Sequence, residues 1–152
     1  MFRNDFTDIV LLFDMTEENK QTGKILGIDY GSKRIGLAVS DENRQFAMPL
    51  SVIANDEDLM VKLEKIATDN EIKEIVMGES KDYSGKANLI LMDSIELKEK
   101  LESKGYTVYF EPEFMTSVQA ERFQGKTALT DASAAALILQ SYLDKNYKTV
   151  NL

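Results

Sequence analysis

The chain has 152 residues, of which 18 are basic and 26 are acidic, so its formal net charge is −8. It contains no cysteine and no histidine, which excludes disulfides, thiolate metal sites and any mechanism that uses an imidazole as general base or metal ligand. An active site in this chain must therefore use carboxylates, hydroxyls, lysine, arginine or backbone amides, and oxygen ligands favour Mg²⁺ or Mn²⁺. The acidic balance by itself argues against a polyphosphate partner.

The first 23 residues lack a sustained helical or strand period, and we interpret 1–23 as a flexible or weakly packed N-terminal extension. Two alternatives are a translation start at Met15 and an extra edge strand or short helix. Residues 24–145 are predicted to form one domain, followed by a tail at 146–152. No segment reaches the roughly 18 consecutive apolar residues of a membrane helix, so we expect a cytoplasmic protein without membrane contact.

Three short strands separated by tight turns are predicted at the start of the domain. Residues 24–29 form an apolar strand, a glycine-flanked turn follows at 30–33, and residues 34–40 form the second strand. A second turn leads to the third strand, at roughly 44–51. Two short turns in succession predict an antiparallel meander.

A helix is predicted after the third strand, with Asn55 or Asp56 as its N-terminal cap. Its apolar stripe has helical spacing and consists of Leu59, Leu63, Ile66 and Ala67. A buried-type strand at 74–78 and a polar loop then precede a long helix, which ends at Gly105. The apolar residues of that helix are Leu89, Met92, Ile95, Leu97 and Leu101.

One more strand and two helices complete the domain. The strand covers residues 106–111, a short helix begins at Thr116 or Ser117, and the last helix starts near Asp131. The order βββαβαβαα predicts an α/β fold with a five-stranded mixed sheet, in which three antiparallel strands are followed by two parallel strands and helices flank the sheet.

Carboxylates occur where the active site of an α/β protein is expected, at the carboxyl ends of strands. Asp29 ends the first strand, Glu111 and Glu113 lie at the end of the fifth, and Asp131 opens the last helix. Each acid also has a simpler interpretation. Asp29 can be a turn residue, the two glutamates can be solvated, which we favour for Glu111, and Asp131 or Thr130 can cap its helix. Together, acids on three separate elements, in a chain without histidine or cysteine, match the needs of two-metal phosphodiester hydrolysis.

Basic residues near these acids are candidate nucleic-acid contacts. Lys33 and Arg34 belong to the turn beside Asp29, where free backbone amides, a hydroxyl and two cations can hold a phosphate. Further lysines that could neutralise backbone charge are Lys81, Lys86 and Lys126.

Four segments carry a resemblance to a known family. They are LGIDYGSKRIGLAVSD at 26–41, IVMG at 75–78, TSVQAER at 116–122 and DASAAALILQSYL at 131–143. In this order they resemble the YqgF family of pre-16S ribosomal RNA nucleases, also described as Holliday-junction-resolvase-like, with an RNase H-like fold.

The resemblance implies a metal-dependent nuclease in which Asp29, Glu113 and Asp131 bind two Mg²⁺ or Mn²⁺ ions, and its register selects Glu113 over Glu111. The expected partner is precursor 16S ribosomal RNA, hydrolysed at its 5′ end. Two divalent ions offset the charge of the three acids, so the low pI does not exclude nucleic acid.

The chain departs from the family pattern in two places. The family's Asp-Glu-Arg is Pro112-Glu113-Phe114 here, and its Gly-Leu-Pro is Gly78-Glu79-Ser80. Loss of the arginine and the added Glu79 are expected to weaken phosphate contacts near the site. Two alternative functions therefore stay open. One is a Holliday junction resolvase that acts on branched DNA, and the other is a catalytically weakened module that associates with RNA or the ribosome. The sequence does not determine the oligomeric state.

Overall fold

The computed structural model describes residues 22–79, 85–112 and 128–148, without the side chains of residues 85–88 and 128–130. These residues form five strands and three helices. In chain order they are β1 (Ile25–Tyr30), β2 (Arg34–Ser40), β3 (Ala47–Ala54), α1 (Leu59–Asp69), β4 (Glu74–Glu79), α2 (Gly85–Ser103), β5 (Thr107–Pro112) and α3 (Ala128–Asn146). None of the described helices has the length and apolar character of a membrane span.

The strands form one mixed sheet in the order β3-β2-β1-β4-β5. β2 pairs antiparallel with both β1 and β3, whereas β4 pairs parallel with both β1 and β5. The predicted mixed sheet is therefore confirmed. Because β1, β4 and β5 are parallel, their carboxyl ends meet at one edge of the sheet.

Alternate residues of β1 pack into two separate hydrophobic cores, one on each face of the sheet. Ile28 belongs to a cluster with Leu63 of α1 and Leu101 of α2. Ile25, on the opposite face, belongs to a second cluster with Leu139 of α3. Since successive strand residues point to opposite faces, α1 and α2 cover one face and α3 covers the other.

The third strand begins later than its sequence pattern predicts. Oδ1 of Asp41 accepts hydrogen bonds from the N–H groups of Gln45 and Phe46, at 2.8 Å each. Arg44, which lies between Asp41 and Gln45 in this turn, has a positive φ of 60°. This turn occupies the chain up to residue 46, so that β3 starts at Ala47.

The apolar residues of α2 divide between two sides of the helix. Leu97 and Leu101 are buried in the core, whereas Leu89, Met92 and Ile95 are 64%, 67% and 39% exposed. Leu97 and Leu101 are four residues apart and share a side of the helix. The expected short helix after Thr116 lies outside the described residues.

Arg44 joins several segments at the amino-terminal edge of the parallel strands. Its side chain is 5% exposed and forms an ion pair with Glu74 of β4. Its Nε donates to the carbonyl oxygen of Gly23 at 2.8 Å, and another guanidinium nitrogen donates to the hydroxyl of Tyr147 at 2.8 Å. One side chain thus connects the entry of β1, the start of β4 and the end of α3.

Substitution Arg44→Ala is expected to lower the free energy of unfolding by about 3 kcal/mol, because it leaves the largely buried Glu74 carboxylate without its cation. Urea denaturation measures the change. Lys100→Ala is the control, since Lys100 and Glu96 form an exposed i,i+4 pair that is worth about 0.5 kcal/mol or less. Similar losses in the two variants would contradict a special role for Arg44.

Asp41 is expected to make stability depend on acid pH. Burial acts to raise the pKa of Asp41, but the N–H groups of Phe46 and Gln45 that donate to its carboxylate help to hold the pKa below its ordinary value of 3.8. A carboxylate with a lowered folded-state pKa stabilises the fold above its unfolded-state pKa, and this contribution disappears as the pH falls through the folded-state value. Asp41→Asn should therefore be less stable than the wild type at neutral pH, and urea denaturation should show the difference narrowing towards about pH 2. A difference that is the same at both pH values would contradict this account.

Candidate active site

Asp29 lies near the carboxyl end of β1, directly opposite Gly36 of β2. Paired residues of antiparallel strands project from the same face, with Cβ positions about 5 Å apart. A methyl group at Gly27, two residues before Asp29, would lie 2.8 Å from Cβ of Leu139 in α3. Because residues two apart share a face, Asp29 projects towards the layer that α3 occupies.

Asp131 reaches the same place from α3. A methyl group at Gly36 would lie 2.1 Å from the carbonyl oxygen of Asp131, so the helix backbone passes directly over the residue that is paired with Asp29. The helix begins at Ala128, and Asp131 lies in its first turn. The alternative interpretation, in which Asp131 or Thr130 caps this helix, is therefore wrong, and Asp131 is an acid near the positive end of the helix dipole.

The carboxylate of Asp131 has one buried oxygen, Oδ2. Among the described residues, no donor reaches Oδ2 of Asp131 with hydrogen-bond geometry. Nε of Arg34 lies 3.4 Å from that oxygen, which is an electrostatic contact. Buried polar atoms are normally hydrogen-bonded, and carboxylate oxygens are the ligands that Mg²⁺ prefers. Asp131 is therefore a fitting ligand for a hard cation.

The turn between β1 and β2 supplies positive charge beside these acids. Lys33, in the turn that follows β1, and Arg34, the first residue of β2, are both exposed. A methyl group at Gly31 would lie 2.4 Å from the carbonyl oxygen of Arg34, so this tight turn requires glycine. Arg34 is thus next to Asp131, and Lys33 precedes it as an exposed residue of the turn.

Asn55 has a different role from the predicted helix cap. Its backbone N–H donates to the carbonyl oxygen of Lys33 at 2.9 Å, and its side-chain amide donates to the carbonyl oxygen of Gly31 at 2.9 Å. Asp56 lies closer to the helix start, where its carboxylate accepts the N–H of Asp58 at 3.0 Å. The sequence pattern did not reveal the contact between Asn55 and the turn, because the two are distant in the chain.

Glu111 is a buried acid of β5 rather than a solvated one. Its exposed fraction is 4%, it accepts a hydrogen bond from the Ser141 hydroxyl at 3.0 Å, and it forms an ion pair with Lys145. The interpretation of Glu111 as a solvated loop glutamate is therefore wrong. Two donors from α3 satisfy its carboxylate, which makes it an anchor between β5 and that helix.

Glu79 is the last residue of β4, and its side chain projects from the opposite face of the sheet. Ile75 and Met77 of the same strand pack in the cluster under α1 and α2. Because every second residue of a strand points to the same face, Glu79 points to the face of Ile75 and Met77. The carboxylate is therefore directed away from the face that carries Asp29 and Asp131.

The other predicted site residues are described in part or not at all. Glu113, Lys81 and Lys126 lie outside the described residues, although the chain is described up to Pro112. Lys86 lies in the first turn of α2, and its side chain is not described. Within the described ranges, no group of three or more acids is placed to hold a metal ion; these ranges contain two of the three predicted ligands.

The fold is similar to that of solved junction resolvases. One neighbour is Thermus thermophilus RuvC in complex with a Holliday junction substrate, with a TM-score of 0.54 and 16% identity, covering 82% of this chain and 97% of that one. Another is the fowlpox virus resolvase in complex with Holliday junction DNA. It has a TM-score of 0.52 and 12% identity, and the match covers 82% of this chain and 99% of the resolvase. This likeness defines the class as the RNase H-like fold, which confirms the expectation.

Residues 23–145 match the family model RuvX, which is described as Holliday junction resolvase. A relative from Lactobacillus delbrueckii is 36% identical over 140 residues, which are 82% of this chain and 99% of the relative. A relative from Dictyoglomus thermophilum is 34% identical over 134 residues, which are 81% of this chain and 96% of that relative. Both carry the name "Putative pre-16S rRNA nuclease". The chain belongs to the RuvX (YqgF) family.

Gly36→Ala is expected to separate α3 from β2, because the new methyl group and the Asp131 carbonyl cannot occupy the same space. We expect stability to fall by about 1–3 kcal/mol and Mn²⁺ to bind about tenfold more weakly, measured by urea denaturation and by titration calorimetry. Gly27→Ala is the matched control, since it also presses on α3 but at Leu139. Equal Mn²⁺ affinities in the two variants would contradict the role of Gly36 in positioning Asp131.

Proposed function

We propose that this chain is a Mg²⁺- or Mn²⁺-dependent nuclease that hydrolyses a phosphodiester bond at the 5′ end of precursor 16S ribosomal RNA. The observation that carries the proposal is the approach of Asp29 and Asp131 to Gly36 from two elements, with a buried oxygen of Asp131 that receives no hydrogen bond from the described residues. Family membership and the names of the two relatives support the choice of this reaction and of this RNA as substrate. A cytoplasmic location follows from that substrate.

Asp29, Asp131 and Glu113 are the proposed metal ligands. Glu113 lies outside the described residues, and it is proposed on the register of the family resemblance alone. Three carboxylates from separate elements suit hard divalent cations. Such ions, when bound, activate a water molecule and stabilise the leaving oxygen of the phosphodiester.

Lys33 and Arg34 are proposed to bind the phosphate next to the bond that is cleaved. Their charges lie in an exposed turn beside Asp29, where they can neutralise the RNA backbone without reading its sequence. Further phosphates along the RNA are proposed to be contacted by Lys81, Lys86 and Lys126. Because Phe114 replaces the family's arginine, we expect this chain to depend strongly on Lys33 and Arg34.

A Holliday junction is the second candidate substrate. The observation that favours it is the likeness to two resolvases solved with junction DNA. Lysine and arginine contacts to phosphates do not distinguish ribose from deoxyribose. A direct comparison of precursor RNA and a four-way DNA junction as substrates therefore decides between them.

Asp29→Asn and Asp131→Asn are each expected to reduce cleavage of precursor 16S ribosomal RNA about a hundredfold or more, because each removes a charged metal ligand. Gel electrophoresis of end-labelled RNA measures the rate with Mn²⁺, and calorimetry measures Mn²⁺ affinity. Glu111→Gln is the matched control. It should lower the melting temperature by weakening the contact with Lys145, while the cleavage rate and Mn²⁺ affinity stay near those of the wild type.

Equal cleavage by the wild type and both asparagine variants would refute the assignment of these acids. Faster cleavage of the DNA junction than of the RNA would identify a resolvase. RNA binding without cleavage and without Mn²⁺ binding would identify the non-catalytic RNA-associated module.

A further inference from the structure

The turn at residues 31–34 is exposed, yet its backbone is fixed from the end of β3. The register of β2 and β3 pairs Arg34 with Ala54, and the backbone N–H of Asn55 extends this ladder by one bond to the carbonyl oxygen of Lys33. The Asn55 side chain then continues past the end of the ladder to the carbonyl oxygen of Gly31. One residue thus holds the turn at both sides of Ser32.

These two bonds determine how the turn presents its charge. A peptide carbonyl oxygen carries partial negative charge and would repel a phosphate group, and the oxygens of Gly31 and Lys33 are both engaged by Asn55. The side chains of Lys33 and Arg34 remain exposed. Hydrogen bonds to the turn's carbonyls therefore favour a conformation in which its cationic side is available to an anion.

The chemistry of asparagine suits this role. Its side-chain amide is a neutral donor of fixed geometry, whereas the nearly isosteric aspartate at neutral pH has only acceptors to present to a carbonyl oxygen. Asn55 is half-buried beside the turn, and it is not the N-cap residue of α1, which is Asp58. The residue thus acts on the turn rather than on the helix that follows it.

We propose that Asn55 is a positioning residue, which holds the turn at 31–34 in the conformation that receives a backbone phosphate of the nucleic-acid substrate. The proposal rests on the proposed nuclease function and assigns to that site a residue that touches neither metal nor substrate. We expect its effect on substrate binding, because its two hydrogen bonds end on the backbone of the turn that carries Lys33 and Arg34.

The test compares the wild type with Asn55→Ala, Asn55→Asp and the control Asn70→Asp. Asn70 also donates its side-chain amide to a backbone carbonyl, that of Ile66, at 2.9 Å, but it lies at the far end of α1. KM and kcat are measured with Mn²⁺ on precursor 16S ribosomal RNA. Binding of a fluorescent RNA oligonucleotide from the same 5′ region is measured separately at low salt without divalent ions.

We expect both Asn55 variants to raise KM and weaken RNA binding about tenfold, the effect of one misplaced charge-assisted phosphate contact. The kcat value and the Mn²⁺ affinity should stay within about twofold of the wild type. Asn70→Asp should keep the KM and RNA affinity of the wild type. This pattern separates positioning from loss of stability, which would affect kcat, Mn²⁺ affinity and melting temperature together.

Three outcomes would overturn the proposal. Unchanged KM and RNA binding in Asn55→Ala would show that the turn does not need its anchor. An effect of Asn55→Asp without one of Asn55→Ala would show simple charge repulsion, and parallel losses of kcat and Mn²⁺ affinity would show a structural role. If the wild type binds RNA but does not cleave it, the proposed nuclease function fails, and the binding comparison still decides the role of Asn55.

Discussion

The close contact between α3 and Gly36 is the constraint on which the arrangement of the candidate site depends. A helix backbone can pass this near to a strand only where no side chain intervenes, and at Gly36 even a methyl group would collide with the Asp131 carbonyl. Gly27 permits a similar approach near Leu139. The two glycines thus determine how far above the sheet the helix lies, and with it the position of Asp131 relative to Asp29.

Buried charges hold the rest of α3 in place. Glu111 of β5 is bound by Ser141 and Lys145 of the helix, and Tyr147 at the helix end is bound by Arg44. Removing one member of such a pair is costly, because it leaves a charge in a poorly solvated place. The helix is therefore anchored in its second half by polar contacts and in its first half by close packing, which keeps its first turn over β2.

Two acids on the same face of the sheet illustrate the difference between a structural carboxylate and a candidate ligand. The side chain of Glu111 is almost fully buried, but two donors from α3 satisfy it. Asp131 is more exposed, yet its buried oxygen receives only an electrostatic contact from Arg34 among the described residues. Burial alone therefore does not identify a site acid; what matters is whether the protein itself supplies the donors.

The sequence by itself determined the order of the described strands and helices, the mixed sheet and the candidate acids, because these follow from local periodicity, turn residues and family motifs. It misjudged Glu111, whose donors come from α3, 30 and 34 residues further along the chain, and Asn55, whose carbonyl partner Gly31 lies 24 residues before it. Neither separation leaves a local pattern. Only the tertiary structure decided which acid is satisfied, how closely α3 approaches Gly36 and what holds the turn at residues 31–34, since each depends on packing between segments that are distant in the chain.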